Sequence, residues 1–137
     1  MASAWAIVRR QGGLLFVQRS QRTSRPGQWC LPGGRIHQHE DAGAAALREL
    51  EEEAGLKATL GRFAFEEGGQ SYYECLADDE QPVSLKANEC QAYRWVTPGE
   101  LLSLGQIMEL RRVVKALRAL GHAIHLPPRL EASFRRR

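Results

Sequence analysis

The sequence predicts an α/β fold: a sandwich with helices on both faces of a mixed β-sheet. Three observations predict it. Strand-like runs rich in β-branched and aromatic residues open the chain and return in its middle, cut by Gly12-Gly13 and Gly68-Gly69. A single strong helical pattern at 41–54 lies between the two groups of strands, and two further helical patterns follow the last one. The order strands, helix, strands, helices is that of a layered α/β domain.

The elements follow in sequence. Runs at 4–9 and 14–18 read as the first strands; the N-terminal apolar stretch runs into Arg9-Arg10 with no basic region before it, which is the wrong order for a signal peptide. At 41–54, Ala44, Leu47, Leu50 and Ala54 recur at helical spacing, and Gly55 ends the helix. Strands are expected at 60–65, 71–76 and 92–96. Thr97-Pro98-Gly99-Glu100 is a capping-box start with proline at the first helical position, opening a short helix through Leu104. Ile107, Leu110, Val114 and Leu117 mark an amphipathic helix over 107–120, closed by Gly121. Pro127-Pro128 ends regular structure. The reading is therefore one domain over 1–126 and a flexible basic tail over 127–137.

Composition sets the limits. The chain has 137 residues, 43% hydrophobic and 26% charged, which suits one soluble domain and excludes wholesale disorder. No stretch approaches the roughly 20 apolar residues of a membrane span. Three cysteines (Cys30, Cys75 and Cys90) form no paired motif. A disulfide framework and a four-ligand zinc site are both excluded, and a reducing cytoplasm fits. The pI near 9 comes without a Lys/Arg stripe, so no stable nucleic-acid complex is expected.

Charge is unevenly placed. Within 40–53 six carboxylates face one arginine, a balance of −5, which leaves +8 on the rest of the chain. Sixteen of the 19 basic residues are arginine, the side chain suited to bidentate recognition of phosphate or carboxylate. Glu49, Glu52 and Glu53 stand at i, i+3 and i+4, on one helix face. At an effective dielectric near 20, two carboxylates about 5.5 Å apart repel by roughly 3 kcal/mol, so a cation on that face is expected. Oxygen ligands without histidine or cysteine select a hard ion, Mg²⁺ or Mn²⁺. A solvated acidic face is the alternative that spacing alone leaves open.

The spacing completes a larger pattern. Gly34, five residues, Glu40, seven residues, then Arg48-Glu49-Leu50-Glu51-Glu52-Glu53-Ala54-Gly55-Leu56 resembles the Nudix box, G-x5-E-x7-R-E-U-x-E-E-x-G-U with U aliphatic, at every fixed position. Chance agreement is on the order of one in a billion per start. The lead-in from Gly27 to Gly34 resembles that of the family too. The resemblance implies a Nudix-type α/β/α sandwich and hydrolysis of a nucleoside diphosphate linked to another moiety, by water attack on phosphorus with Mg²⁺. It further implies Glu49, Glu52 and Glu53 as metal ligands, with the Gly34 carbonyl as a further one. Arg48 would hold a box carboxylate, and Glu40 would support it. The general base is expected at Glu52 or Glu53, or outside the box at Glu89, where some members carry such a residue.

Outside the box the expectations are fewer. Among Arg19, Arg22 and Arg25, where family members often place a phosphate-binding arginine, Arg19 is the first choice as a substrate contact. His37 and His39 read as exposed loop residues, Trp29 and Trp95 as core, and Cys30 and Cys75 as small buried residues rather than nucleophiles. Size, lead-in and the run from Glu89 to Val96 resemble the MutT-like nucleoside triphosphate pyrophosphohydrolases. The expected substrate is accordingly a nucleoside triphosphate, normal or oxidised, cleaved to monophosphate and pyrophosphate. Dinucleoside polyphosphates, nucleoside diphosphate sugars and a non-catalytic nucleotide sensor are the alternatives. The expected partner is this small-molecule nucleotide, with no membrane; a homodimer stays open.

Overall fold

The computed structural model describes residues 2–135. Met1 of the first apolar run and Arg136 and Arg137 of the basic C-terminal run lie outside them. The elements are β1 (Ser3–Ile7), β2 (Arg9–Arg10), β3 (Gly13–Arg19), β4 (Trp29–Cys30), β5 (Gly33–Arg35), α1 (Ala42–Ala54), β6 (Ala58–Glu67), β7 (Gln70–Ala77), β8 (Cys90–Val96), a 3-10 helix (Pro98–Leu104), α2 (Leu110–Ala119) and α3 (Pro128–Arg135).

A mixed sheet runs in the order β5-β1-β7-β6: β1 is parallel to β7 and antiparallel to β5, and β6 is antiparallel to β7. A second, antiparallel sheet joins β2, β4 and β8 to β3. Sequence reasoning anticipated the mixed sheet but not the second, because β2 and β4 are two residues long and exist through pairing with β3.

Period-two alternation along β1 builds two cores. Ala4, Ala6 and Val8 face α1, where they meet Ala45, Ala46, Leu50 and Ala54. Ile7 turns the other way, into a cluster with Leu14, Phe16, Tyr72, Val114 and Leu117 that seats α2. Small residues on β1 and α1 let the helix lie close to the sheet, and burial of Leu50 alone contributes about 2 kcal/mol. The inward face of α1 is rotated slightly from the expected one. Ala44 is exposed and Leu47 half-buried, while Gly43, Ala45 and Ala46 are buried. Asp41 caps the helix, its Oδ1 accepting from Ala44 N at 2.8 Å, and Gly55 ends it at φ 69°.

Two corrections concern the C-terminal region. The helix expected from 107 starts at Leu110, because Glu109 takes left-handed backbone angles (φ 57°, ψ 45°) and Ile107 is drawn into a parallel bridge with Trp29. Where Pro127-Pro128 was expected to end regular structure, the chain forms α3. Proline is tolerated at a helix start, where its missing N–H is not needed. The new helix is tied back by Arg118, whose Nη2 donates to Glu131 Oε1 at 2.7 Å and to the Ile124 carbonyl at 2.6 Å, and by Phe134, packed against the α2 core. Among the described residues, no helix is long and apolar enough to cross a membrane.

Candidate active site

Three segments converge at the edge of the mixed sheet. Strand β5 is paired to β1 with Gly34 opposite Ala4, which sets Gly33 and Gly34 beside the second half of α1. A Cβ at Gly34 would lie 2.5 Å from Glu49 Oε2, so only glycine lets this strand and the helical carboxylate approach so closely. The amide of Gly33 donates to Glu53 Oε1 at 3.1 Å. The third segment is the turn before β8. Lys86 N donates to the Glu53 carbonyl at 3.0 Å and Ser84 N to the Ala54 carbonyl at 2.8 Å, tying that turn to the end of α1.

These segments line a cavity of about 560 Å³. Its wall includes Gly34, Glu49, Glu53 and Glu89, together with Arg19, Arg25 and Arg112. Carboxylates from a helix and from a separate turn thus share one concavity with several guanidinium groups. Glu52 does not line it. Its carboxylate is exposed and receives Arg48 Nη1 at 2.9 Å. The three glutamates expected on one face are therefore divided: Glu49 and Glu53 face the cavity and Glu52 faces Arg48.

Arg48 is the hub of the box. It forks onto Glu40 (Nε to Oε2, 2.7 Å; Nη2 to Oε1, 3.0 Å), reaches Glu49 Oε2 at 3.3 Å and Glu52 at 2.9 Å, and donates to the Arg35 carbonyl at 2.9 Å. This rigid donor fork fixes three carboxylates and the box loop at once. Arg48 beside it and the His37 amide hold the Glu40 carboxyl down at about 2. His37 and His39 are exposed.

Within the cavity the electrostatics run the other way. Burial pushes the Glu53 carboxyl up to about 8, opposed by the Gly33 amide and reinforced by Glu49 and Glu89. Glu49 is also raised, by burial first, against the pull of Arg48, with Glu52 and Glu89 adding to it. A buried carboxylate cluster that the protein's own cations leave underneutralised is one that a divalent ion would relieve. The donor set fits such an ion, since Glu49, Glu53 and the Gly34 carbonyl offer only hard oxygens. Among the described residues no three His, Cys, Asp or Glu side chains form a ready-made ligand group.

Arg19 lies near enough to Glu53 and Cys30 to lower the pKa of each, and its Nε donates to the Ser24 carbonyl. Arg25 reaches across to Glu109, Nη1 to Oε2 at 3.2 Å, and Arg112 holds the other oxygen at 2.7 Å. Arg22 is exposed and does not line the cavity. Cys30 and Cys90 do line it, but burial pushes both thiols up to about 12, which leaves them neutral and unreactive. Trp29 is core, and Trp95 lies under the Arg10 guanidinium at 4.5 Å, away from the cavity. Sequence reasoning missed Trp5, Glu109 and Arg112 as cavity residues. Nothing local marks them, since they arrive from β1 and the start of α2.

Comparison with known proteins identifies the family. The NUDIX domain model matches residues 1–117. The CTP pyrophosphohydrolase of Escherichia coli K12 is 31% identical over 102 residues, covering 71% of this chain and 76% of that protein. Human diphosphoinositol polyphosphate phosphohydrolase 2 is 54% identical, but over 37 residues that make up 27% of this chain and 21% of its own. The crystal structure of the MutT protein from Methanosarcina mazei Go1 superimposes with a TM-score of 0.67 at 26% identity, covering 87% of this chain and 91% of that one. The chain belongs to the Nudix family and is a hydrolase acting on phosphoric anhydrides.

Proposed function

We propose that the chain hydrolyses a nucleoside triphosphate, with a normal or an oxidised base, to the monophosphate and pyrophosphate, and that it does so with Mg²⁺ or Mn²⁺. The observation that carries this reading is the shared cavity: Glu49, Glu53 and Glu89 on one wall system with Arg19, Arg25 and Arg112. Its volume of about 560 Å³ suits a small ligand, and the mixture of carboxylates and guanidiniums suits a metal polyphosphate. The name of the E. coli relative, a pyrophosphohydrolase of CTP, supports the same substrate class.

Glu49, Glu53 and the Gly34 carbonyl would hold the ion. Glu52 joins them only by giving up Arg48, and otherwise acts through it. When bound, the ion neutralises phosphate charge and makes water more acidic. Arg19 and Arg25 bind phosphate oxygens and hold the chain of phosphates in line. Glu89, on its own turn and outside the helix, accepts the proton as a water oxygen bonds to phosphorus. The bridging P–O bond breaks, and its electron pair leaves with the departing phosphate oxygen. Product analysis of each nucleoside triphosphate incubated with Mg²⁺ tests the proposal: monophosphate and pyrophosphate in equal amounts are expected, and nucleoside diphosphate with orthophosphate would refute it.

A further inference from the structure

Among the described residues Ser20 is the buried polar side chain, 5% exposed, and it lies one residue past the end of β3. Its two donors grip consecutive carbonyls of the turn that carries Glu89. The amide donates to the Glu89 carbonyl at 2.9 Å, and Oγ donates to the Asn88 carbonyl at 2.8 Å. Oγ also accepts from Arg22 N at 3.2 Å, and the Ser20 carbonyl accepts from Thr23 Oγ1 at 2.9 Å. The β3–β8 ladder shifts register at this point, between Gln18 and Arg19, with Arg19 opposite Cys90. Such a bulge re-aims the side chains beside it, here Arg19 from one strand and Glu89 at the mouth of the other. On its far side the same turn is held by Lys86, whose amide donates to the Glu53 carbonyl and whose carbonyl accepts from Glu89 N at 2.9 Å.

We infer that Ser20 is a positioning residue: its hydroxyl fixes the 86–90 turn so that the Glu89 carboxylate enters the cavity. The inference rests on the proposed role of Glu89. Asn88 is exposed, so water replaces the hydroxyl when Oγ is removed, and the fold keeps its hydrogen bond while the turn loses its fixed point. A group that acts on the reacting water loses rate when it wanders by an ångström, whereas the substrate is held by other residues. Removing Oγ should therefore lower kcat rather than raise KM.

The test is a double-mutant cycle on Ser20→Ala and Glu89→Gln, using whichever of ATP, GTP, CTP and UTP the wild type turns over fastest with Mg²⁺. We expect Ser20→Ala to lower kcat about tenfold, with KM within twofold and cooperative melting retained. In the Glu89→Gln background the same change should alter kcat by less than twofold. Ser20→Thr, which keeps the hydroxyl, should hold kcat within about threefold of wild type. An equal loss in both backgrounds overturns the inference, because Ser20 would then act independently of Glu89. So does an unchanged kcat in Ser20→Ala, or an equal loss in Ser20→Thr. Loss of cooperative melting in Ser20→Ala overturns it too, since the residue would then hold the fold. Wild-type kinetics for Glu89→Gln alone would instead refute the role of Glu89 itself.

Discussion

The amide of Lys86 donates to the main-chain carbonyl of Glu53 at 3.0 Å. This bond joins the last turn of α1, which carries Glu53 one turn beyond Glu49, to the turn that presents Glu89. Residues 33 positions apart are thus tied by main-chain groups, so substitution of the Glu49 or Glu53 side chain leaves this tie in place.

Glu53→Gln follows from that tie. Glu53 has one hydrogen bond of its own, from the Gly33 amide to Oε1, which a glutamine oxygen can also accept. The fold should survive while a charged ligand is lost. Turnover is expected to fall by at least about 100-fold, with the thermal midpoint unchanged or raised because a buried carboxylate with its pKa near 8 has been removed. Steady-state kinetics beside a melting curve measures both. More than about a tenth of wild-type turnover would remove Glu53 from the ligand set.

Gly34→Ala should act on ion binding rather than on the backbone. The added Cβ would meet Glu49 Oε2 at 2.5 Å, and the side chain must swing aside. The Mg²⁺ concentration for half-maximal activity is expected to rise roughly tenfold or more, with a smaller loss at saturating Mg²⁺. A Mg²⁺ titration of rate reads this, and an unchanged midpoint would mean that Glu49 is not a ligand.

The Glu40–Arg48 pair predicts a pH dependence. Its carboxyl is held at about 2 in the folded chain, against about 4.5 for an ordinary glutamate. The sign follows from linkage: the contribution is complete above the ordinary value and is lost as pH falls through about 2. Wild type should be more stable than Glu40→Gln at pH 7, and the difference should shrink steadily below about pH 4.5. Denaturant melts at pH 7, 4 and 3 test this, and a difference constant across that range would contradict it.

The C-terminal helix depends on Arg118. Glu131→Gln removes the charge that Arg118 holds through two contacts, at 2.7 and 3.0 Å. Being near the surface and screened by water, the pair contributes only modestly to overall stability. Amides in 128–135 should exchange faster in this variant, with those of α1 unchanged. Equal exchange would show that Phe134 alone seats the helix.

Much of this molecule is legible in the sequence where structure is local. The α1 boundaries follow from Asp41, the helical period and Gly55, and of the expected set Gly34, Glu49, Glu52 and Glu53 the cavity is lined by Gly34, Glu49 and Glu53. What stayed hidden is long-range. Strands β2, β4 and β5 are too short to leave a pattern, and Glu109 breaks a helical period by its backbone angles rather than its residue type. Shared periodicity likewise put Glu52 with Glu49 and Glu53, whereas the Arg48 fork draws its carboxylate aside. The partnership of Ser20 with the 86–90 turn spans 68 residues and carries no motif.

Phosphorus NMR reads the cleavage position and the metal requirement together: wild-type chain, each nucleoside triphosphate in turn, Mg²⁺ present and then removed by exhaustive chelation. At least one triphosphate should yield monophosphate and pyrophosphate in equal amounts, and the reaction should stop on chelation and resume when Mg²⁺ is restored. Turnover that continues without divalent ions, or release of orthophosphate and nucleoside diphosphate in place of pyrophosphate, would contradict the proposed function.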